Sequence, residues 1–222
     1  MPNLAPLWLT LKVAAAATTL SLGFAVACAW LVARRRFPGR ELLDALCTLP
    51  LVLPPTVLGY YLIVVWGRNG WLGSFLHTHL GLSLMFTWQG AVLAAAVVSF
   101  PLLFKSARAA FEAVPAEYEQ AARILGDHEL ALFWRITLPL ASRGLLAGVM
   151  LAFARAMGDF GATLMVAGNI EGRTQTAAMA VFDAVAAGDY PLANTLVAIM
   201  SITCVAILVT TNLLMARRGY AR

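Results

Sequence analysis

The sequence predicts an all-α polytopic membrane protein with five transmembrane helices. Of its 222 residues, 61% are hydrophobic and 12% charged, with a mean hydropathy of +0.79. Apolar stretches recur at the length a membrane demands, since a helix needs about 20 such residues to cross about 30 Å of hydrocarbon. The polar segments between them are too short to form soluble domains. The spans fall at about 8–33, 43–66, 86–104, 138–168 and 191–215 of a single domain over residues 1–222, with a longer polar segment over 105–137.

The first span, Trp8 to Ala33, is too long for a secretory signal and lacks a basic leader. It runs into Arg34, Arg35, Arg36 and Arg40, which set the orientation, because loops on the cytoplasmic side carry the excess of Lys and Arg. With the amino terminus outside, the inner segments also hold Lys105, Arg108, Arg123, Arg135, Arg143, Arg217, Arg218 and Arg222. That gives 12 basic residues inside against Arg68 and Arg173 outside, with Lys12 and Arg155 within spans. The carboxyl terminus is then cytoplasmic. Trp8, Trp66 and Trp88 fall at outer span ends and Trp30 at an inner one, as interfacial rings prefer. The net charge of +5 is read as this topology signal, with a contribution from anionic membrane lipid, and not as nucleic-acid binding.

The second span contains LPLVLPPTVLGYYL, with Pro50, Pro54 and Pro55. Each proline removes a helix hydrogen bond and crowds the preceding turn. The helix must break or kink there, and irregular backbone at such depth is tolerated only against protein or a water-filled cavity. The bend either lines a pathway or serves packing alone. In the outer loop that follows, His77 and His79 suit a solvated loop better than a metal pair. Cys28, Cys47 and Cys204 lie in or beside apolar segments, without disulfide or metal spacing, and read as small hydrophobes.

In the polar segment, Pro115 suits the first turn of a helix, Glu117 and Glu119 lie near the positive end of its dipole, and Gly126 is a natural stop. Asp127 can cap a second short helix from His128 to Arg135, after which Pro139 opens the fourth span. Helix, glycine bend and helix make a compact knob, or else an ordinary amphipathic helix on the membrane surface.

The fourth span holds LAFARAMGDFGATLMVAG. At about 1.5 Å per residue, Arg155 lies roughly 18 to 24 Å above the inner interface. Charges at that depth face a bundle interior and are paired, and Arg155 and Asp159 can pair on one helix face. The pair either fixes helix packing or lends positive potential to an anion path. Gly158 and Gly161 would let a neighbouring helix approach closely, one from a second copy included. Before the last span, the apolar stretch from about Thr174 to Ala187 is too short to cross. It is either an interfacial helix for an external partner or a connector.

Some functions are excluded by what the chain lacks. A phosphate-binding loop needs a glycine-rich turn followed by lysine, yet the only lysines, Lys12 and Lys105, follow no glycine. A nucleotide-driven machine built on this chain needs a separate ATPase. The outer segments carry Arg68 and Arg173 against Glu171, Asp183 and Asp189. Capture of an anion would therefore fall to a separate external binding protein. An ion-coupled secondary transporter would show inverted repeats and several intramembrane carboxylates, whereas one acidic residue, Asp159, falls in a span's interior. A scaffold without transport would give the proline break and Arg155 no purpose.

Gln120, Ala121 and Ala122, then Gly126, then Ile136, Leu138 and Pro139 reproduce every spacing of the coupling loop of ABC importer permeases, with Gln120 where that pattern has glutamate. Together with RRRFPGRELLDALCTLPLVLPPTVLGYYL and LAFARAMGDFGAT, this stretch resembles the permeases of the molybdate, tungstate and sulfate importers over nearly the whole chain. Asp159 stands where glutamate is commoner, and there is no room for the extra amino-terminal helix of some relatives. The resemblance implies a type I importer permease fold in the bacterial inner membrane, working as a homodimer. It further implies two ATPase subunits that bind ATP and magnesium, no cofactor or catalytic residue in this chain, and a periplasmic molybdate-binding protein. Coupling residues would be Glu119, Gln120, Ala121, Ala122, Arg123, Gly126, Ile136, Leu138 and Pro139. Pathway and gate residues would be Pro50, Pro54, Pro55, Arg155, Gly158, Asp159, Gly161 and Thr163. Molybdate is the expected cargo, with tungstate and sulfate or thiosulfate as alternatives.

Overall fold

The computed structural model describes residues 4–217, and every regular element among them is helical. Arg218 and Arg222, counted above among the basic residues, lie outside the described residues. The centre is a three-helix stack in which α5 (Trp88–Glu112) lies between α1 (Ala5–Arg34) and α8 (Leu138–Met157). Small residues explain the close fit: Ala14, Ala17, Ala25 and Ala29 of α1 and Ala91, Ala94, Ala95 and Ala107 of α5 are fully buried. On the facing side of α8, a Cβ added to Gly148 would lie 2.7 Å from the Ser106 Cβ. Lipid tails are as apolar as leucine, so spans associate through this kind of backbone approach rather than through hydrophobic burial.

By length and composition, four segments among the described residues can cross a membrane: Ala5–Arg34, Trp88–Glu112, Glu129–Met157 and Tyr190–Thr210. A fifth forms if α2 (Arg40–Val52) and α3 (Pro55–Trp66) count as one broken span, bent by 116°. Of the three prolines expected to break it, Pro54 and Pro55 make the bend. Pro54 is the extended residue before α3 (ψ 140°) and Pro55 its first residue, whereas Pro50 stays inside α2. A proline in the first helical position has no intrahelical N–H to lose.

The fourth span departs from expectation. One helix over 138–168 is replaced by α8, ending at Met157, a non-helical step through Gly158 to Phe160, and α9 (Gly161–Ala167). The reason is local. Asp159 turns its carboxylate onto the Thr163 amide (3.0 Å) and the Thr163 hydroxyl. A short acidic side chain thus offers the backbone an alternative to the helix between two residues of low helix propensity. The third span is also longer than read: α5 starts after Thr87, whose hydroxyl oxygen accepts the Gly90 amide (3.2 Å), and runs on to Glu112. Lys105 and Arg108 therefore lie on a helix and not in the polar segment.

Between Trp66 and Phe86, read as a solvated loop, the chain forms α4 (Trp71–Leu80), with His79 Nδ1 3.1 Å from the Phe75 carbonyl. Phe86 takes a positive φ of 59° and donates its amide to Val166 of α9 (3.1 Å), its ring lying against Gly168. The apolar stretch near Thr174 to Ala187 is α10 (Ala177–Ala186), fastened to α1 where the Ala177 amide meets Thr10 Oγ1 (2.8 Å). The last helix, α11 (Tyr190–Arg217), exposes Val197, Ile202, Val205 and Val209.

The packing of α3 on α9 rests on Gly59, whose added Cβ would come 2.6 Å from the Met165 Cβ and 3.3 Å from the Ala162 Cα. Gly59→Val is expected to lower the thermal midpoint through a loss of about 1 to 3 kcal/mol, the usual range for overpacking. Gly23→Ala, in open space, serves as the neutral comparison.

Candidate functional site

Two constructions stand out: a knob at the Arg34 end of the bundle, and a pair of helix breaks within it. The knob begins with α6 (Ala116–Ile124), which follows Pro115 and carries Glu117 and Glu119 in its first turn. It ends in a glycine stop. Gly126 adopts φ +91°, its amide bonds back to Arg123 (3.1 Å), and the Asp127 amide bonds to Ala122 (3.0 Å). This pairing closes a helix C-terminus when the residue after the cap is left-handed, a conformation glycine adopts without strain.

The second half of the knob differs from expectation. The helix starts at Glu129 with His128 at its cap position, and Asp127 makes no capping bond; its carboxylate sits 3.5 Å from Arg135 instead. Nor is it a separate short helix. α7 (Glu129–Leu132) passes through a π turn at Phe133–Thr137 directly into α8. Pro139 accounts for the turn: lacking an N–H, it cannot bond back to Arg135, and the Leu138 amide reaches five residues back, to Phe133.

A charge network fixes the knob to α1. Glu119 is 4% exposed and lies 3.0 Å from Arg34 Nη2, while Thr137 Oγ1 donates to it at 2.8 Å. Arg34 also donates to the Val114 carbonyl (3.0 Å). Glu129 bridges Arg123 (2.8 Å) and Arg35 (3.3 Å), and its hydrogen bond raises the Arg123 guanidinium above its ordinary range. Behind it, Asp44 of α2 accepts from Lys105 (3.1 Å) and Arg108 (2.6 Å) of α5.

The expected coupling residues therefore divide. Glu119 and Ala122 face inward, Ile136 and Leu138 are half-buried, and Gln120, Ala121, Arg123, Gly126 and Pro139 are exposed. Because Gln120 is exposed, nothing in the fold depends on a carboxylate there. Among the described residues, the most exposed large apolar side chains are Ile124 at 87% and Leu125 at 86%, at the tip of the knob, and sequence reading did not single them out. Arg34, Thr137 and Glu129 were missed as well, since a pair 85 residues apart such as Arg34 and Glu119 leaves no local signal.

Within the bundle the two helix breaks adjoin. A Cβ on Gly161 would lie 3.2 Å from the Pro55 Cβ, so the break after α8 sits against the break before α3. Asp159 is 3% exposed; its Oδ2 serves Thr163, while its Oδ1 makes no hydrogen bond and faces Arg155 Nη1 at 3.9 Å. The expected pair thus forms, but loosely and across a helix end, with Arg155 still a third exposed. The structure brings Pro54, Pro55, Gly158, Asp159, Gly161 and Thr163 into one region and leaves Pro50 apart, within α2.

These features match a known architecture. Residues 20–217 match the family described as binding-protein-dependent transport system inner membrane component, and the chain belongs to that family. It is thus a multi-pass inner-membrane permease subunit of an ABC importer. Among individual relatives, it is 49% identical over 174 residues to the molybdenum transport system permease protein ModB of Escherichia coli (strain K12), covering 78% of this chain and 76% of the relative. It is 36% identical over 210 residues to the sulfate transport system permease protein CysT of Salmonella typhimurium (95% and 76%). In fold it is similar to a chain of the inward-facing MetNI methionine ABC transporter, with a TM-score of 0.75, 16% identity and coverage of 100% and 97%.

Proposed function

We propose that this chain forms the transmembrane path of a molybdate importer and is driven by a separate ATPase that docks on the α6 knob. The observation that carries the reading is the knob itself: a glycine-terminated helix, clamped to α1 through buried Glu119, presents Ile124 and Leu125 to the outside. Apolar side chains on a rigid, polar-rimmed projection suit the buried centre of a protein interface. A lever of this kind can bias a two-state bundle only if its partner binds the two states with different affinity.

In this reading the knob and the carboxyl terminus face the cytoplasm and the amino terminus the periplasm. ATP and magnesium reside in two partner ATPase subunits, and a periplasmic binding protein delivers the oxyanion. A second copy of the chain completes the path. The adjoining breaks at Pro54–Pro55 and Gly158–Gly161 supply irregular backbone where a translocation path can run. Arg155, paired only at 3.9 Å, retains positive potential for a passing anion. The 49% identity to a molybdenum permease favours molybdate, and the 36% identity to a sulfate permease keeps sulfate as the second candidate.

Uptake of radiolabelled molybdate into cells expressing the transporter, with sulfate and tungstate as competitors, tests the cargo; displacement by sulfate at equal concentration would reassign it. Arg155→Ala is expected to lower molybdate uptake at least about tenfold, the loss of roughly 1.4 kcal/mol, while complex yield changes less than twofold. Equal losses in uptake and yield would leave Arg155 a packing residue.

A further inference from the structure

An apolar groove of 540 Å³ runs along the outside of α1 from Gly23 to Trp30 and is walled on the other side by Leu130, Phe133 and Trp134. At its Arg34 end it meets a polar pocket of 260 Å³, and Trp30 and Glu129 line both. That pocket gathers the guanidinium groups of Arg34, Arg35 and Arg123 around the carboxylates of Glu119 and Glu129, a surplus of one positive charge. Arg34 Nε is buried there without a hydrogen-bond partner, and Arg35 lies 5.7 Å from the centre of the Trp30 ring.

We infer that the groove and the pocket together form a binding site for one anionic phospholipid, its acyl chain along α1 and its phosphodiester among the arginines. The charge distribution chooses this occupant. The lining changes from a trough that is apolar except for Glu129 at its end to a cationic mouth at the end of a spanning helix, the distribution a phospholipid carries. A lipid seated there touches both α1 and the first turns of the segment leading into α8, so it braces the base of the knob. The site rests on side-chain geometry alone and does not depend on the cargo or the ATPase.

The test uses the full chain reconstituted into phosphatidylcholine vesicles containing brominated phosphatidylglycerol or, at equal mole fraction, brominated phosphatidylcholine. The signal is Trp134 fluorescence quenching, taken as wild type minus Trp134→Phe. The expected result is an apparent affinity for the brominated phosphatidylglycerol about fivefold higher, the preference one surplus basic group confers at an anionic surface. Arg35→Gln abolishes that preference and Arg35→Lys retains it. Gly23→Leu, at a position where an added Cβ meets nothing within 4 Å, weakens quenching by both lipids, with an unchanged thermal midpoint as the fold control. Equal quenching by the two lipids overturns the proposal, as does absence of Trp134 quenching, which would mean that protein covers the groove. Loss of the preference on adding inorganic phosphate also overturns it, in favour of a free-anion site.

Discussion

Replacing Ile124 and Leu125 together by aspartate is expected to abolish co-purification of this permease with its ATPase while leaving the helical bundle intact. The two side chains are 87% and 86% exposed, so neither contributes to the core, and aspartate at both positions leaves the Gly126 stop and the Glu119 clamp untouched. The effect is large because apolar anchors at the centre of an interface contribute about 2 kcal/mol or more each, roughly 30-fold in affinity. Burying an unpaired carboxylate against a partner adds a desolvation penalty. The measurement is ATPase recovered per permease in a pull-down, with the permease's thermal midpoint as the fold control. Unchanged recovery would mean that the partner docks elsewhere.

Glu119→Ala is expected to act in the opposite way, through the permease itself. Glu119 is the common partner of Arg34 and Thr137 in a buried site. Removing one member of such a pair strands the other, a loss of about 3 to 5 kcal/mol, against a total stability of about 5 to 15 kcal/mol for an ordinary domain. The knob should detach from α1, seen as faster tryptic cleavage after Arg123 and a lowered thermal midpoint. Glu119→Gln keeps an acceptor for Thr137 and should fall between. Pairing Glu119→Ala with Arg34→Met should recover part of the loss, because the stranded charge is gone. If Glu119→Ala were as stable as wild type, the clamp would have no structural weight.

How far the sequence foretold all this depends on how local each cause is. The break at Pro54 and Pro55 and the stop at Gly126 are written in single residues whose backbone preferences survive any context, and both stand where expected. The break at Gly158–Phe160 was not foreseen, because glycines and a paired aspartate also occur inside continuous spans; only the short reach from Asp159 to Thr163 reveals it. The π turn before α8 follows from Pro139, yet Pro139 alone did not say whether the helix would restart or widen. Within the knob, sequence spacing located the segment, but which faces turn inward depends on Arg34 and Thr137, remote in sequence from Glu119. Motif positions therefore indicate where the partner-facing element lies, and the structure indicates that Ile124 and Leu125 are its most exposed apolar part.

The central claim, that this chain conducts but does not energise transport, is tested most directly by reconstitution. Vesicles containing the permease, its ATPase and its binding protein are compared with vesicles containing the permease alone, each given radiolabelled molybdate with ATP or with an imposed proton or sodium gradient. The account predicts accumulation above equilibrium only in the complete set and only with ATP on the side of the ATPase. Uphill accumulation by the permease alone under an ion gradient would contradict it and identify a secondary transporter.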